Sequence, residues 1–179
     1  MKDSVSINEM RFVKMIGRKT IAKRIRKLAD QINEEYKSKE VEIIIVLKGA
    51  FIFAADLVRH FKFAHNISFI QFSSYKGTES SGTITERFPI QIDASDKDIL
   101  IIEDIVDTGN TLNYFIEKLN QSNPKSIEIA SLLFKKEAYK HDFPVQFVAF
   151  EIENKFVIGY GLDLDEKARN LKHIYQLDN

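Results

Sequence analysis

The sequence contains no cysteine, and its formal net charge is zero because 26 basic side chains balance 26 acidic ones. The lack of cysteine excludes disulfides, thiolate chemistry and zinc–sulfur sites. The balanced charge removes the electrostatic argument for nucleic acid or an anionic membrane as a partner. No apolar run approaches the roughly 20 residues of a membrane span, and the start has no apolar signal core. We therefore expect a soluble, cytoplasmic protein that binds neither nucleic acid nor membrane.

What the chain does contain is an alternation of strand and helix patterns within 179 residues, a length that fits one domain. Apolar or β-branched runs predict strands at 41–47, 67–75, 98–105, 126–134, 145–152, 155–161 and 173–177. Apolar residues at helical spacing predict helices over 18–36, 50–61 and 111–121. This alternation favours an α/β fold with a mainly parallel central sheet flanked by helices. In such sheets, ligands bind beyond the carboxyl ends of the strands.

The most informative stretch is LIIEDIVDTGNTL (100–112), where an apolar strand ends in carboxylates and a turn. The turn over 107–111 would aim backbone N–H groups, threonine hydroxyls and a helix dipole at one point, which suits a phosphate monoester. Gly109 allows close approach of the backbone. Glu103 and Asp104 would repel phosphate but suit a vicinal diol or a divalent cation. The motif therefore predicts a ligand such as ribose 5-phosphate, with Asp107 placed to accept a proton.

A simpler interpretation is that these carboxylates only cap the start of a helix. Three acids, two threonines and one glycine fall within the nine residues 103–111, directly after an apolar strand. This density favours a ligand site over a capping role.

The same residues resemble the phosphoribosyl diphosphate (PRPP) signature of type I phosphoribosyltransferases. VLKGAFIFAADL (46–57) resembles the first active-site loop of the hypoxanthine-guanine branch, and SSYKGTESSGT (73–83) resembles its mobile lid. SLLFKKE (131–137) and the segment 150–174 resemble its purine-binding lysine strand and carboxy-terminal segment. The resemblance implies the type I phosphoribosyltransferase fold over a single domain, 1–179. It also implies a flexible lid at about 74–86 and a small hood from chain-terminal segments, including about 150–179.

The resemblance implies roles for the residues that would hold PRPP. Asp107 matches the general base that takes the N7 proton of the purine. The 5-phosphate cradle corresponds to Thr108, Gly109, Asn110 and Thr111. The ribose-diol acids, which are also implied Mg2+ ligands, correspond to Glu103 and Asp104. The pyrophosphate contacts correspond to Lys48, Gly49 and Arg169, and the lid to Ser74 and Tyr75.

Two further details of the PRPP site concern Asn110 and the Leu47–Lys48 peptide. Asn110 stands where some members carry lysine, so the cradle has less local positive charge. The family often has a cis peptide before the lysine of the first loop, and we predict one at Leu47–Lys48, although such bonds are rare elsewhere.

The carboxy-terminal half carries the implied purine site. Lys135 matches the lysine that donates to the purine 6-oxygen, and an ammonium can only donate, so it disfavours the 6-amino group of adenine. Phe156 matches the aromatic that stacks on the base. Val157 matches a backbone contact to the base edge, and Asp163 matches the ligand of a second Mg2+. Without the resemblance, Lys135 would be interpreted as a surface charge and Phe156 as core.

These assignments predict Mg2+-dependent transfer of phosphoribose from PRPP to N9 of hypoxanthine and guanine, in a homodimer or homotetramer. A xanthine-preferring enzyme is disfavoured because KFVIGYGLDLDE (155–166) is similar to the hypoxanthine-guanine type. A uracil-linked regulator that binds RNA would require a basic face. A binding protein with an inactive site is disfavoured because Glu103, Asp104 and Asp107 are all present.

Overall fold

The computed structural model of the chain describes residues 3–74, 84–88 and 94–178. Its helices are α1 (Arg18–Glu35), α2 (Phe51–Val58) and α3 (Asn110–Asn120). Its strands are β1 (Ser4–Ile7), β2 (Met10–Ile16), β3 (Glu40–Leu47), β4 (Ala64–Ser74), β5 (Ile84–Phe88), β6 (Asp98–Val106), β7 (Ser126–Phe134), β8 (Phe147–Glu151), β9 (Val157–Ile158) and β10 (Ile174–Leu177). None of the described helices is long and apolar enough to cross a membrane.

The larger sheet has the order β5-β4-β3-β6-β7-β8. Strands β4, β3, β6, β7 and β8 run parallel, and β5 pairs antiparallel with β4 at the edge. The central strands are buried on both faces, because Ile43–Ile45 and Ile99–Ile102 are almost inaccessible to solvent. Strands covered on both faces are continuously apolar in this way. The predicted α/β fold with a mainly parallel sheet is confirmed.

Helices cover the two faces of this sheet with the apolar stripes predicted for them. On one face, α1 and α2 pack over β3, β6 and β7 in the main core. On the other face, α3 buries Leu112, Phe115, Ile116 and Leu119 against a second cluster. Helix α2 ends at Val58, before the predicted end at 61, because residues 59–60 form a turn. The sheet is thereby fixed, and its carboxyl edge remains available for a site.

The second sheet, which we call the hood, has the order β1-β2-β10-β9 and is antiparallel throughout. It joins both ends of the chain, as the resemblance implied. Strand β9 is much shorter than the predicted 155–161, because residues 159–161 all have positive φ and turn the chain away. Strands β1 and β2 were not predicted, and they meet at a tight turn where Asn8 and Glu9 also have positive φ.

The predicted lid falls largely outside the described residues. Ser74 is the last residue of β4, and Tyr75 lies in a part of the chain that is not described. Residues 84–86, which we expected to be loop, belong to β5, with Ser74 opposite Ile84. The β-branched residues of ITERF (84–88) explain this difference, since they favour an extended edge strand.

Candidate active site

Neighbouring strands β6 and β7 bring the predicted base and the predicted purine lysine together. Val106 pairs with Phe134 in parallel register, so the next residues, Asp107 and Lys135, leave the sheet side by side. The Lys135 ammonium donates to Oδ2 of Asp107 at 2.9 Å. Lys135 is buried, with 7% of its surface exposed, whereas Asp107 is about half exposed. The pair therefore presents a hydrogen-bond donor beside an acceptor at the carboxyl edge of the sheet.

The predicted phosphate cradle forms one wall of a cavity of about 270 Å³. Residues 105–112 line it together with Glu103. Gly109 is the N-cap of α3, has a φ of 81° and makes no side-chain cap hydrogen bond. The simple capping interpretation of the carboxylates is therefore wrong. The first residues of α3 line the cavity, and the N–H groups at a helix N-terminus suit an anion.

A segment that sequence reasoning overlooked supports the cradle from behind. A Cβ at Gly109 would overlap the ring of Tyr139. The Lys140 N–H donates to the carbonyl of Thr108 at 3.2 Å, and Nε2 of His141 lies 2.9 Å from Oδ1 of Asn110. The residues after Lys135 thus fold back along the phosphate loop. No local sequence signal marks this arrangement, because it depends on two loops that follow different strands.

Glu103 and Asp104 form a half-buried acidic pair at the end of β6. Burial raises the pKa of Glu103 well above its ordinary value, and the charge of Asp104 raises it further. Burial also raises the pKa of Asp104, although hydrogen bonds from Glu103 and from backbone N–H groups oppose that effect. The Asp104 carboxylate lies against Gly49, where a Cβ would overlap it. Gly49 is therefore required so that the β3 loop can pack on the acid.

The predicted pyrophosphate contacts lie in a network of ion pairs with the hood. The ammonium of Lys48 lies 2.9 Å from Oε1 of Glu166, and Nη2 of Arg169 lies 3.2 Å from Oε2 of the same residue. Arg169 also contacts Oδ1 of Asp163 at 2.8 Å and donates to the carbonyl of Gly161 at 2.9 Å. The Leu47–Lys48 peptide is cis, as predicted. Glu166 was not among the predicted site residues, although it lies in the DLDE run beside Asp163.

The remaining predicted purine contacts lie in the hood. Phe156 is 46% exposed, and its ring lies 6.2 Å from that of Phe12 on β2. Val157 begins β9, and its side chain packs in the main core. An exposed aromatic face beside a backbone that enters a strand suits a flat heterocycle.

The donor set fits Mg2+ that is held mainly by its substrate. Within residues 3–74, 84–88 and 94–178, no three acidic or histidine side chains gather into one metal site. Mg2+ commonly binds through one or two carboxylates plus substrate phosphates, and it keeps several waters. Glu103 with Asp104 offers such a partial site, and Asp163 offers a second that is now paired with Arg169.

Comparison with known proteins agrees with this geometry. The phosphoribosyl transferase domain family matches residues 13–165. A hypoxanthine-guanine phosphoribosyltransferase from Aquifex aeolicus is 40% identical, over 92% of this chain and 94% of its own length. One from Dictyostelium discoideum is 42% identical, over 89% and 91%. The chain belongs to the hypoxanthine-guanine phosphoribosyltransferase family.

Solved structures of this phosphoribosyltransferase family share the fold. A crystal structure of a Bacillus anthracis hypoxanthine-guanine phosphoribosyltransferase superposes with a TM-score of 0.85 at 36% identity, covering 93% of this chain and 96% of that one. A Staphylococcus aureus hypoxanthine phosphoribosyltransferase gives a TM-score of 0.86 at 35% identity, covering 92% and 90%. The predicted type I phosphoribosyltransferase fold with its hood is therefore confirmed, and the chain is a pentosyltransferase of this family.

Proposed function

We propose that the protein transfers 5-phosphoribose from PRPP to N9 of hypoxanthine and guanine, with Mg2+, in purine salvage. The products are the nucleoside monophosphate and pyrophosphate. The observation that carries the substrate class is the Lys135–Asp107 pair, whose donor and acceptor atoms lie 2.9 Å apart. The similarity of the chain to hypoxanthine-guanine phosphoribosyltransferases supports the same reaction.

The pair is complementary to one edge of a 6-oxopurine. In the N7-protonated tautomer, this edge presents the O6 acceptor beside the N7–H donor. The Lys135 ammonium, a donor only, can meet O6, and the Asp107 carboxylate can accept from N7–H. Adenine places a 6-amino donor opposite Lys135, which leaves two donors facing each other. The pair therefore selects against adenine, and Phe156 is proposed to stack on the face of the accepted base.

The proton on N7 explains how Asp107 would act. As N9 forms the bond to the anomeric carbon, the purine gains positive character. Transfer of the N7 proton to the Asp107 carboxylate removes that charge and makes N9 the better nucleophile. The Asp107 carboxylate is hydrogen-bonded to Lys135, which holds this general base in one orientation. Such orientation lowers the entropic part of the activation barrier.

The sugar end would be held by the acidic pair and the phosphate loop. The backbone of 107–111 and the hydroxyls of Thr108 and Thr111 suit the 5-phosphate. Glu103 and Asp104 suit the ribose diol, since they accept from both hydroxyls. Holding the ribose at both places fixes its anomeric carbon toward the purine.

At the leaving-group end, Lys48, Gly49 and Arg169 are proposed to bind the pyrophosphate. Mg2+, when bound, would neutralise the diphosphate and orient it, held by Glu103 with Asp104 and by Asp163. The lid residues Ser74 and Tyr75 are proposed to exclude water from the reacting centre.

The chain also carries an apolar surface that supports self-association. Ile67 and Phe69 of β4 are 40% and 53% exposed, and Phe51 of α2 is 45% exposed. Ile67 pairs in parallel register with Ile43, and Phe69 pairs with Ile45, so both share the face of the sheet that holds the main core. Exposed apolar residues that continue a core face are typical of protein interfaces. We propose a homodimer or homotetramer, which sedimentation of the wild type and of F69E would test.

One assay tests the proposed function directly. The purified protein is given PRPP and Mg2+ with hypoxanthine, guanine, xanthine, adenine and uracil in parallel, and pyrophosphate is measured. We expect release with hypoxanthine and guanine and little with adenine or uracil. Release with uracil alone, or with none of the bases, would contradict the proposal. The cytoplasm is the expected compartment, and cell fractionation would check it.

A further inference from the structure

We propose that Glu166 is a resident anion of the leaving-group site: its carboxylate holds Lys48 and Arg169 in place, and PRPP or pyrophosphate displaces it. This inference rests on the proposed function, which assigns those two cations to pyrophosphate. It adds a residue that positions the two cations and is not proposed to contact the purine or the ribose.

The contacts of Glu166 carry the proposal. Its two carboxylate oxygens are divided between the two cations, with Oε1 at 2.9 Å from Nζ of Lys48 and Oε2 at 3.2 Å from Nη2 of Arg169. Lys48 and Arg169 come from opposite parts of the chain, the β3 loop and the hood. A bidentate anion between two cations is the arrangement that a diphosphate oxygen pair would also satisfy. The Glu166 carboxylate therefore lies between the two cations where the pyrophosphate oxygens are proposed to bind.

The backbone that carries this carboxylate adopts an unfavourable conformation, and such strain is often found at functional positions. Residues 164–167 form a tight hairpin, since Leu164 and Lys167 exchange both backbone hydrogen bonds at 3.2 and 3.0 Å. Asp165 and Glu166 at its tip both have positive φ, 49° and 63°. Such turns favour glycine and asparagine, and glutamate is an unusual choice for the second position. The Glu166 N–H donates to Oδ2 of Asp163 at 2.8 Å, which fixes the tip further.

The two ion pairs of Glu166, which together bridge Lys48 and Arg169, are weak enough to be displaced. Side chains of Lys48 and Glu166 are 46% and 64% exposed, so water and salt screen their attraction. Hydrogen bonds from Lys48 and then Arg169 lower the pKa of Glu166, so the carboxylate stays charged. A multivalent phosphate attracts the same cations more strongly than one carboxylate does. Displacement is therefore favourable, but it reduces the apparent affinity for the phosphate by the fraction of molecules in which the bridge is closed.

This competition predicts the effect of removing the carboxylate. In E166Q and E166G, inorganic pyrophosphate with Mg2+ should bind more tightly, on the order of threefold to tenfold, because the Glu166 carboxylate no longer has to leave Lys48 and Arg169. Asp163 remains paired with Arg169 in both variants. The KM for PRPP should fall by a similar factor, while the KM for hypoxanthine should not change. E166G has a second use, since glycine adopts positive φ without strain and should preserve the hairpin. Isothermal titration with pyrophosphate and initial-rate kinetics provide both measurements.

D165N is the matched control, because it removes the same charge from the adjacent turn position. Asp165 accepts a hydrogen bond from Asn8 at 2.9 Å and does not bridge the two cations. The affinity of D165N for pyrophosphate should stay within about twofold of the wild type, because salt screens the effect of a change in net charge alone. Equal tightening in D165N would assign the effect to net charge and overturn the proposal.

Weaker or unchanged pyrophosphate binding in both E166Q and E166G would also overturn it, since a purely structural bridge predicts that result. The proposed function fails separately: it fails if the wild type does not release pyrophosphate from PRPP with 6-oxopurines. A wild type that turns over normally, with Glu166 variants that bind pyrophosphate no more tightly, would refute only this inference.

Discussion

The two ends of the proposed active site carry opposite charges, and the charges are arranged differently at each end. At the sugar end, Glu103 and Asp104 lie together in a half-buried position, and burial raises the pKa of both. At the leaving-group end, Lys48 and Arg169 already have an anionic partner in Glu166. At the sugar end, two neighbouring carboxylates destabilise each other, and a bound ligand is expected to reduce that repulsion. At the leaving-group end, the ligand is proposed to replace an anion that is already there.

The difference follows from the elements that carry each end. Glu103 and Asp104 lie on β6, a central strand of the larger sheet, and the loop over 107–111 joins β6 to α3. Glu166 lies at the exposed tip of the 164–167 hairpin, and Arg169 follows that hairpin, in the segment between β9 and β10 of the hood. Rigid elements can hold like charges close together because packing opposes their separation. An exposed hairpin cannot do so, and its charges are paired instead.

The largest effect is expected from D107N, which removes the proposed general base next to the acidic pair. Loss of the base should lower turnover roughly 10²- to 10⁴-fold, because asparagine cannot take the N7 proton. Thermal unfolding should change little, since Asp107 is about half exposed. D142N, at an exposed acid after β7, serves as the control. Turnover of D107N that equals the wild type would remove Asp107 from its proposed role.

The next largest effect is expected from G49A, which tests how the β3 loop supports Asp104. A Cβ at Gly49 would overlap the Asp104 carboxylate, so one of them must move. A displacement of this kind should lower kcat/KM for PRPP by about 10- to 100-fold. The free energy of unfolding should fall by about 1–3 kcal/mol, as in other overpacked sites.

G17A is the matched control for G49A, because Gly17 has nothing within 4 Å of a new Cβ and its φ of −78° suits alanine. Its kinetics should equal those of the wild type. If G49A were as active as G17A, the tight packing of the loop on Asp104 would have no role in binding PRPP.

How far the sequence predicts this molecule depends on where the evidence for each part lies. Strands β3, β6 and β7 could be predicted because burial on both faces leaves continuous apolar runs, and α1 and α3 because one stripe is buried. Strands β1 and β2 could not, since exposed and partly buried positions are mixed along them and leave no continuous apolar run. Strand β2 pairs with β10, at the other end of the chain, and β1 pairs with β2 in turn.

The site divides in the same way. The turn over 107–111 that leads into α3 could be predicted, because its residues are contiguous and both the glycine and the helix start leave local signals. The ion pair of Glu166 could not, because its partner Lys48 lies 118 positions away. Tyr139 was missed for the same reason, since only the fold brings its ring under Gly109.

A more modest effect is expected for K135A, which tests base selection. Loss of the ammonium removes the donor opposite O6 and should relax the preference for hypoxanthine over adenine by about tenfold or more. The ratio of kcat/KM values for the two bases measures it. K136A is the natural control, because Lys136 is exposed while Lys135 is buried. Unchanged selectivity in K135A would assign discrimination to another residue.

The smallest effect, and the most direct test of charge stored at the sugar end, is expected from E103Q. A carboxyl whose pKa is raised on folding binds more protons in the folded state than in the unfolded state. The wild type therefore loses stability as pH rises from the ordinary pKa of 4.5 through the raised one. Glutamine carries no charge, so E103Q should unfold a few degrees higher than the wild type at neutral pH, with the difference vanishing below the ordinary carboxyl pKa.

Addition of PRPP with Mg2+ should reverse that order, because the ligand relieves the repulsion only where Glu103 is charged and can accept from the diol. Thermal unfolding across pH, with and without PRPP and Mg2+, measures both effects. E166Q provides the contrast: it removes a paired carboxylate whose pKa is lowered, so it should show no gain in stability at neutral pH. If E103Q were no more stable than the wild type without ligand, the acidic pair would store no unfavourable charge, and the two ends of the site would not differ in the way their pKa shifts indicate.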